Sequence, residues 1–494
     1  MAFAGFRKGG GLAAGFLAVS TLVAGGVESA AAAPGAPAAA ARPSPPSILL
    51  ISIDTLRADH LGLYGYPRPT DAGLARVAPR FVLFEHAYTP IPLTLPAHLA
   101  LMNGLPPLTL GLLNNHRQLP RRGTHPAMLA ERLAQQGYAT AAVIASGVLE
   151  SSTGMGAGFQ VFDEPRRGKD KARRQEWEKR SAEAVSVRVA PLLERLRPPL
   201  FLFVHFYDAH EPFTPPDRYG CLLRPDEILR ETLSRRGLDG VRYHQVLNRS
   251  FPGPITELGR PLTLEEMVGR YDASVRYVTD RVHELIDLWD LTPHGPGSLV
   301  IVTSDHGEGL GQHGFWSHGM NLNGEALQVP LMVRWPEDEM AGKRVAAPVT
   351  LLDIAPTVLE AAGMERPAEY VGVSLAAVAG KRRHREFLVA QRMRYLYKER
   401  PLGVRNWRAG DGFAIMAGPF KYIEDAGMPA ALFDVNRDPF ELHNLMDQQL
   451  AIETELRHKL SAWKAAMPAP RDWMHFRVDE ERSRLLRSLG YLDR

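Results

Sequence analysis

Three short apolar runs, each followed at once by a carboxylate or a histidine, constrain the fold of this chain more than any other feature. Runs this rich in leucine, isoleucine, valine and phenylalanine suit strands that are buried on both faces. In open α/β sheets ligands bind beyond the carboxyl ends of the strands, so we expect the polar residues after the runs to meet at one site. The runs are residues 47–53, 200–206 and 299–303, and the polar residues that follow them are Asp54, Asp208, His210, Asp305 and His306.

Helical patterns lie between the apolar runs. Apolar residues recur at helical spacing in residues 126–136, 182–196 and 264–291, and residues 138–144 are a further strand candidate. The alternation of strands and helices predicts a doubly wound α/β fold.

The pattern changes after about residue 380. Residues 418–423 and 431–435 suit two strands of an antiparallel hairpin, and residues 451–463 carry apolar residues on one helical face. We therefore predict a large domain at residues 47–380 and a small C-terminal subdomain at residues 381–494.

The N-terminus is typical of an export signal. A short basic segment precedes an apolar, Gly/Ala-rich stretch at residues 11–27, and small residues follow it. This pattern predicts a signal peptide at residues 1–33, and an Ala/Pro-rich linker follows at residues 34–46. The alternative is an uncleaved membrane anchor, although the apolar stretch is short for a span. We expect a secreted or periplasmic protein without a stable membrane span once the signal is removed.

Composition narrows the function classes. The chain is 45% hydrophobic and 23% charged with a net charge of +3, and because it has no basic stripe we expect no nucleic-acid partner. The single cysteine, Cys221, cannot form an intramolecular disulfide. Two charged segments, residues 166–180 and 216–261, are predicted to be solvated loops, and the alternative for the second is that it shapes the mouth of the site.

Residues 303–319 hold the densest set of potential metal ligands. Asp305 and His306 directly follow an apolar run and offer one oxygen and one nitrogen ligand. His313 and His318 follow in the same segment, where glycines allow the chain to approach a ligand closely. Asp54 ends the first run and is placed to bind a cation, although an aspartate there is equally suited to capping the next helix.

Thr94 and His210 are candidates for the chemistry itself. Thr94 precedes a helix-like stretch, where free N–H groups favour anions, and a threonine hydroxyl activated by a metal can attack phosphorus or sulfur. The alternative is that Thr94 caps the helix. His210 lies just past a strand, where a general acid or a substrate ligand is expected. His205 lies inside the same strand and is more consistent with packing or with support of the site.

Together these motifs resemble the sulfatase family over about residues 47–465. Members begin with a strand that ends in a metal-binding aspartate, carry the nucleophile in a C/S-x-P-x-R motif before a helix, and have an Asp-His-Gly metal motif after a later strand. Many also have a D-P-H-x-P-Y segment and a C-terminal K-Y-I and L-Y-D-L-x-x-D-P-x-E-x-x-N-L pattern. The matching segments here are Asp54, residues 94–98 (TLPAH), 305–307 (DHG), 208–213 (DAHEPF) and 421–445. The resemblance implies an alkaline-phosphatase-like α/β sandwich, with a large mixed, mostly parallel sheet flanked by helices and a small C-terminal antiparallel subdomain.

Three positions depart from the family pattern. Sulfatases use formylglycine made from Cys or Ser, and because position 94 is Thr we expect no formylglycine. The motif arginine is replaced by His98, and the usual Asp-Asp pair is Asp54-Thr55. In having a threonine at the nucleophile position, the chain resembles the envelope phosphoglycerol and phosphoethanolamine transferases. The D-x-x-R-A-D segment from Asp54 to Asp59 resembles instead the phosphonate monoester hydrolase branch.

The resemblance assigns roles to individual residues. It implies one divalent metal ion, with Ca²⁺ or Mn²⁺ favoured and Zn²⁺ as a further option, and it makes Thr94 the nucleophile. His210 and His318 are the candidates for contacting the ester oxygens or protonating the leaving group. The expected metal ligands are Asp54, Thr94, Asp305 and His306, and the expected substrate-binding residues are Arg57, His98 and His313.

The resulting expectation is a metal-dependent hydrolase that cleaves sulfate, phosphodiester or phosphonate esters through a covalent Thr94 intermediate. Its partner would be an anionic ester, and the sequence indicates no particular oligomeric state. One alternative is an envelope phosphotransferase that passes a phospho-headgroup to a hydroxyl acceptor. A second alternative is an inactive homologue that only binds.

Overall fold

The first apolar run forms a central strand of a nine-stranded sheet. The structure, a computed structural model, describes residues 45–115, 126–165, 179–238, 262–395 and 410–467, so the predicted signal peptide and most of the linker lie outside the described residues. The strands of this sheet are β1 (Ile48–Ile53), β2 (Val82–Tyr88), β3 (Ala139–Val143), β4 (Val161–Asp163), β5 (Leu200–Phe206), β6 (Leu299–Thr303), β9 (Gln328–Arg334), β10 (Arg344–Val345) and β11 (Val349–Thr350). Strands β7 (Gly309–Leu310) and β8 (Trp316–Ser317) form a separate small ribbon between β6 and β9.

The large sheet is mixed and mostly parallel, as predicted. Its order is β10-β2-β9-β6-β1-β5-β3-β4, and β11 also pairs with β2. Strand β1 lies parallel between β5 and β6, with Ser52 beside His205 on one side and beside Thr303 on the other. Strand β9 is antiparallel to both β6 and β2. The three strands that precede the candidate ligands are therefore neighbours, and their carboxyl ends share one edge.

Side chains alternate between two cores, one on each face of the sheet. Leu49 and Ile51 of β1 point into one core, whereas Ile48 and Leu50 point into the other. Because successive residues of a strand face opposite sides, a strand buried on both faces is mostly apolar, as β1 is apart from Ser52.

Helices cover both faces and make the three-layer sandwich. The helix α2, which begins at Thr94, is buried at all ten of its positions. The helices are α1 (Ala72–Val77), α2 (Thr94–Asn103), α3 (Pro107–Leu110), α4 (Leu129–Gln135), α5 (Ala182–Arg195), α6 (Glu227–Arg235), α7 (Leu264–Asp290), α8 (Gly324–Leu327), α9 (Ile354–Ala361), α10 (Leu375–Ala379) and α11 (Leu450–Ala466).

A second, antiparallel sheet follows, as the hairpin pattern predicts. Its order is β12 (Leu388–Tyr395), β13 (Gly410–Ala417), β14 (Phe420–Asp425) and β15 (Ala431–Asp434). One face packs on α11 through Leu456 and Leu460. The other face packs on residues of the first domain, including Tyr88 and Leu327. The domain boundaries predicted at residues 33, 46 and 380 stay predictions.

One predicted loop is partly helical. Within residues 216–261, α6 begins after Asp226, whose carboxylate accepts a hydrogen bond from the Leu229 N–H, and its buried residues pack on the core. The prediction of an entirely solvated loop is therefore wrong for this part, because helix capping and three buried positions outweigh the charged composition. Residues 166–178 and 239–261 lie outside the described residues. In the described part of the chain, no helix is both long and apolar enough to cross a membrane.

Candidate active site

The carboxyl ends of β1 and β6 bring three potential metal ligands together. One ligand atom from each of Asp54, Asp305 and His306 lies within 4.8 Å of the other two, and all three residues are fully buried. The Asp54 backbone is fixed by its N–H, which donates to the Phe206 carbonyl of β5 at 2.9 Å. The convergence expected from the sequence is therefore present in the structure.

The imidazole of His306 presents one unprotonated nitrogen to this cluster. Its Nδ1–H donates to the Gly307 carbonyl at 2.8 Å, which leaves the Nε2 lone pair facing inward. Nε2 lies 3.3 Å from Asp305 Oδ2 and 3.8 Å from Asp54 Oδ1. Burial lowers the pKa of His306 to about 3, so the ring is neutral and suited to ligation.

The two carboxylates of the cluster have oxygens without hydrogen-bond partners. Both oxygens of Asp54 and Oδ2 of Asp305 are buried and unpartnered within the described residues. Burial raises the pKa of each carboxyl to about 7. Buried unpaired carboxylates are costly, and a divalent cation offsets that cost, so these residues fit a metal ion. Asp54 does not cap a helix, which was its alternative role.

Thr94 lies against the same cluster. Its Oγ1 is 3.2 Å from His306 Nε2, and the residue is fully buried. Leu93 occupies the N-cap position of α2 and Thr94 is the first helical residue, so the interpretation of Thr94 as the cap is wrong. The hydroxyl instead faces the candidate metal ligands at the positive end of the helix dipole.

His98 lies beneath the cluster. Its Nδ1–H donates to the Thr94 carbonyl at 2.8 Å, and its Nε2 accepts a hydrogen bond from the Ser52 hydroxyl at 2.9 Å. Burial lowers the pKa of His98 to about 4, so the residue that replaces the motif arginine carries no charge at neutral pH. These bonds place His98 as a support for Thr94, and its expected contact with substrate stays a prediction.

Three imidazoles form a row that leads away from the cluster. The His318 ring lies 4.6 Å from that of His306 and 4.9 Å from that of His210, between ring centres. His318 Nδ1 lies 3.3 Å from Glu308 Oε1. Burial lowers the pKa of His318 to about 4 and raises that of Glu308 well above its usual range. His210 and His318 are therefore adjacent, as their expected roles require.

Arg57 is engaged with protein groups. Its guanidinium forms a two-pronged ion pair with Asp59, at 2.8 and 2.7 Å, and it also donates to the Glu308 carbonyl at 2.9 Å and to Gln312 at 3.1 Å. This arrangement braces the segment after His306. These contacts engage Arg57 with other protein groups, and its expected contact with substrate stays a prediction.

His313 points toward the C-terminal segment. Its Nδ1 lies 2.9 Å from Glu325 Oε1, and its Nε2 lies 3.1 Å from the Glu441 carbonyl. Burial alone would lower the pKa of His313, but the hydrogen bond and charge of Glu325 raise it to about 9. We call His313, Glu325 and Glu441 the His313 bridge. Its contacts join His313 to the chain that follows the C-terminal sheet, and its expected contact with substrate stays a prediction.

Sequence reasoning missed two residues beside the imidazole row. The carbonyl of Glu211 accepts hydrogen bonds from both His210 Nδ1 and Lys179 Nζ, each at 2.7 Å. Lys179 Nζ also lies 4.9 Å from the centre of the Tyr207 ring. Burial lowers the pKa of Lys179 to about 8 and raises that of the Glu211 carboxyl to about 8. Glu211 was signalled by its position after His210, whereas Lys179 lies in a charged segment that gave no signal.

The fold of this chain, a mixed and mostly parallel sheet between helices with a small antiparallel sheet after it, is shared by several solved structures. Solved structures with this fold include the phosphonate monoester hydrolase of Agrobacterium radiobacter, with a TM-score of 0.66 and 20% identity, covering 86% of this chain and 96% of that one. Another is the phosphonate monoester hydrolase SpPMH from Silicibacter pomeroyi, with a TM-score of 0.65 and 18% identity, covering 86% and 96% of the two chains.

Sequence comparison is more specific. A family model described as Sulfatase matches residues 46–364, and one described as N-sulphoglucosamine sulphohydrolase, C-terminal, matches residues 311–466. The choline-sulfatase of Rhizobium meliloti is 30% identical over 263 residues, or 51% of this chain and 47% of that protein. A sulfatase of Formosa agariphila is 23% identical over 459 residues, or 86% of each chain.

This chain belongs to the sulfatase family. The uncharacterized sulfatase YidJ of Escherichia coli (strain K12) is 28% identical over 281 residues, or 54% of this chain and 51% of that protein. The matches therefore span about half the length of the Escherichia coli and Rhizobium proteins.

Proposed function

We propose that this protein is a metal-dependent hydrolase of singly charged phosphoesters or phosphonate esters, with slower turnover of sulfate esters, and that Thr94 is its nucleophile. The observation that carries the proposal is the position of Thr94 Oγ1, 3.2 Å from His306 Nε2 and beside the buried Asp54 and Asp305 carboxylates. A divalent cation held by Asp54, Thr94, Asp305 and His306 would lower the pKa of the threonine hydroxyl and offset the charge of the ester.

The charge of the site supports the choice of substrate. Burial keeps His98 and His318 neutral at neutral pH, and Arg57 is paired with Asp59. Lys179 is the cationic side chain that the structure places beside the imidazole row. Little positive charge besides the metal would face the ester, so a monoanion is better matched than the dianion of a phosphomonoester.

The nucleophile supports a preference for phosphorus over sulfur. Threonine has one hydroxyl, so its ester cannot collapse by the elimination that is open to formylglycine. In the first step the Thr94 hydroxyl loses its proton, the Oγ–P bond forms, and the bond to the leaving oxygen breaks as that oxygen takes up a proton. In the second step water attacks phosphorus and loses a proton, the Oγ–P bond breaks, and Thr94 Oγ takes up a proton. Two such displacements are better suited to phosphoryl than to sulfuryl groups.

The row of imidazoles suits proton delivery to the leaving oxygen. His318 lies between His306 and the Glu308 carboxyl, whose pKa burial raises well above its usual range. We propose that His318 or the neighbouring His210 donates the proton that the departing oxygen requires, with Glu308 as the proton reserve. Lys179 would contact a non-bridging oxygen of the ester.

The decisive experiment removes the hydroxyl. Thr94→Ala should lower kcat by at least about 10³-fold because no covalent ester can form, and it should keep the fold and most of the metal affinity. Thr94→Ser, which retains the hydroxyl, is the matched control and should keep measurable turnover. Mass spectrometry of wild-type protein quenched during turnover should find the adduct on Thr94. Full activity of Thr94→Ala would refute the mechanism.

Substrate preference needs a panel of esters. We expect turnover of aryl phosphodiesters and phosphonate monoesters with Mn²⁺, Ca²⁺ or Zn²⁺ to exceed that of aryl sulfates and phosphomonoesters. Fast sulfate release by an enzyme inert to every phosphoester would overturn the preference. Products formed with added alcohols would distinguish a transferase from a hydrolase, and metal binding without any turnover would indicate an inactive homologue.

A further inference from the structure

His205 is a buried histidine of β5 beside the candidate metal cluster. The ring is fully buried, and neither of its nitrogens has a hydrogen-bond partner among the described residues. An imidazole without polar partners is costly to bury, and this residue lies inside a strand where an apolar side chain would pack without that cost. The presence of a histidine at this buried strand position therefore needs a specific explanation.

The register of the sheet brings His205 close to Asp54. In the parallel pairing of β1 with β5, His205 lies beside Ser52, two residues before Asp54, and Phe206 accepts the Asp54 N–H. His205 Nε2 lies 3.3 Å from Asp54 Oδ2, just beyond the usual N–H···O range of about 2.7–3.2 Å. The other oxygen, Oδ1, faces His306 Nε2 at 3.8 Å. The two oxygens of Asp54 therefore face two different imidazoles.

We propose that His205 is a positioning residue that donates its Nε2–H to Oδ2 of Asp54 and so reserves Oδ1 for the metal ion. The proposal rests on the metal-binding role proposed above for Asp54. Partners behind a ligating carboxylate fix its orientation, and their loss commonly costs about 10–100-fold in metal affinity.

A direct ligand role for His205 is less consistent with the geometry. The group of ligand atoms that all lie within 4.8 Å of one another comprises Asp54, Asp305 and His306 and does not include His205. A neutral imidazole also carries one N–H, and Asp54 Oδ2, a buried acceptor without a hydrogen-bond partner among the described residues, lies 3.3 Å from Nε2.

Mn²⁺ binding provides a test that does not depend on turnover. By calorimetric titration, His205→Phe should bind Mn²⁺ about 10–100-fold more weakly than wild type. His205→Gln, whose amide N–H can replace the Nε2 donor, should recover most of that loss. The control is His294→Phe, because His294 is equally buried but contacts Ser47 and Leu193 at the opposite end of β1. Circular dichroism would confirm that each variant is folded, and His205→Leu, which also lacks a donor, replaces His205→Phe if the latter does not fold.

The outcomes separate this proposal from the proposed function. If wild type binds Mn²⁺ and both His205 variants bind it equally well, or if Gln fails to recover what Phe loses, His205 is not a donor to Asp54. Pulsed EPR of bound Mn²⁺ should detect one coordinated histidine nitrogen in wild type and in His205→Gln. Loss of a coordinated nitrogen in His205→Gln would make His205 a ligand and overturn the positioning role. Failure of wild type itself to bind Mn²⁺ would contradict the metal site as a whole.

Discussion

Lys179 combines a charge that suits an anionic ester with a pKa close to neutrality. Its ammonium donates to the Glu211 carbonyl at 2.7 Å and lies over the Tyr207 ring, and burial lowers its pKa to about 8. The side chain is cationic below that pH and becomes neutral above it. Binding of an anion through Lys179 should therefore weaken as the pH rises through about 8.

Steady-state kinetics between pH 6.5 and about 9.5 would reveal this titration. Lys179→Met should raise KM for a phosphodiester about tenfold, the size of one charge-assisted hydrogen bond, and should remove the rise of KM above about pH 8. Lys179→Arg stays charged throughout, so its KM should be low and level across the same range. Equal KM values for Met and wild type would exclude Lys179 from the ester-binding site.

At the residue scale, local motifs predicted the cluster better than its surroundings. Asp54, Asp305 and His306 could be found because each directly follows an apolar strand, and the strand ends meet by the topology of the sheet. The distant partners of Arg57 and His313 could not be found this way, because Glu308 and Gln312 lie about 250 residues from Arg57 and Glu441 lies about 130 residues from His313.

At the scale of elements, the turn after β6 depends on one glycine. A Cβ at Gly307 would lie 2.0 Å from the backbone carbonyl oxygen of Glu325, 3.0 Å from its carbonyl carbon and 3.3 Å from Arg57 Cγ. The backbone of Gly307 also holds the turn, because its carbonyl accepts from His306 and its N–H donates to the Ala326 carbonyl. A larger residue here must displace the segment that carries His306.

Gly307→Ala should therefore lower both stability and metal affinity. We expect about 1–3 kcal/mol less free energy of unfolding, as for overpacking elsewhere, and weaker Mn²⁺ binding because His306 moves. Urea unfolding and calorimetric titration would measure the two effects. The control is Gly220→Ala, where the nearest atom to an added Cβ is Leu223 Cδ1 at 4.0 Å, and it should leave both quantities unchanged.

Helices and strands could be predicted from the spacing of apolar residues wherever one spacing was clear. The predicted helix at residues 264–291 is α7, Leu264–Asp290, and the strand predicted at residues 138–144 is β3, Ala139–Val143. The helix α6 escaped prediction because the many charges and prolines around it favour a solvated loop, although its buried residues Leu229, Thr232 and Leu233 do keep helical spacing.

At the scale of the whole molecule, the His313 bridge ties the segment after β6 to the C-terminal chain. The Glu441 side chain extends the contact, since it pairs with the buried Lys421 at 2.7 Å and accepts from Asn323 at 2.8 Å. The pKa of His313 is raised to about 9, above its value in the unfolded chain. Its contribution to stability is therefore full below about pH 6.5 and is lost as the pH rises through about 9.

Urea unfolding at several pH values tests this linkage. His313→Gln should cost about 1–3 kcal/mol near pH 6 and progressively less toward pH 9.5, so the two stability curves should converge. The control is His443→Gln, which replaces a histidine that is 81% exposed in the same C-terminal segment and should leave the free energy of unfolding nearly unchanged. A constant difference between wild type and His313→Gln at all pH values would contradict the assigned protonation.

The complete burial of α2 has a consequence for how firmly the nucleophile is held. A surface helix can fray while the rest of a protein stays folded, and its amide hydrogens then exchange with solvent quickly. All ten residues of α2 are buried, so its interior amides have no comparable local route and should exchange only when the molecule opens as a whole. We therefore expect that displacing Thr94 from its place in the site would require unfolding of the whole molecule.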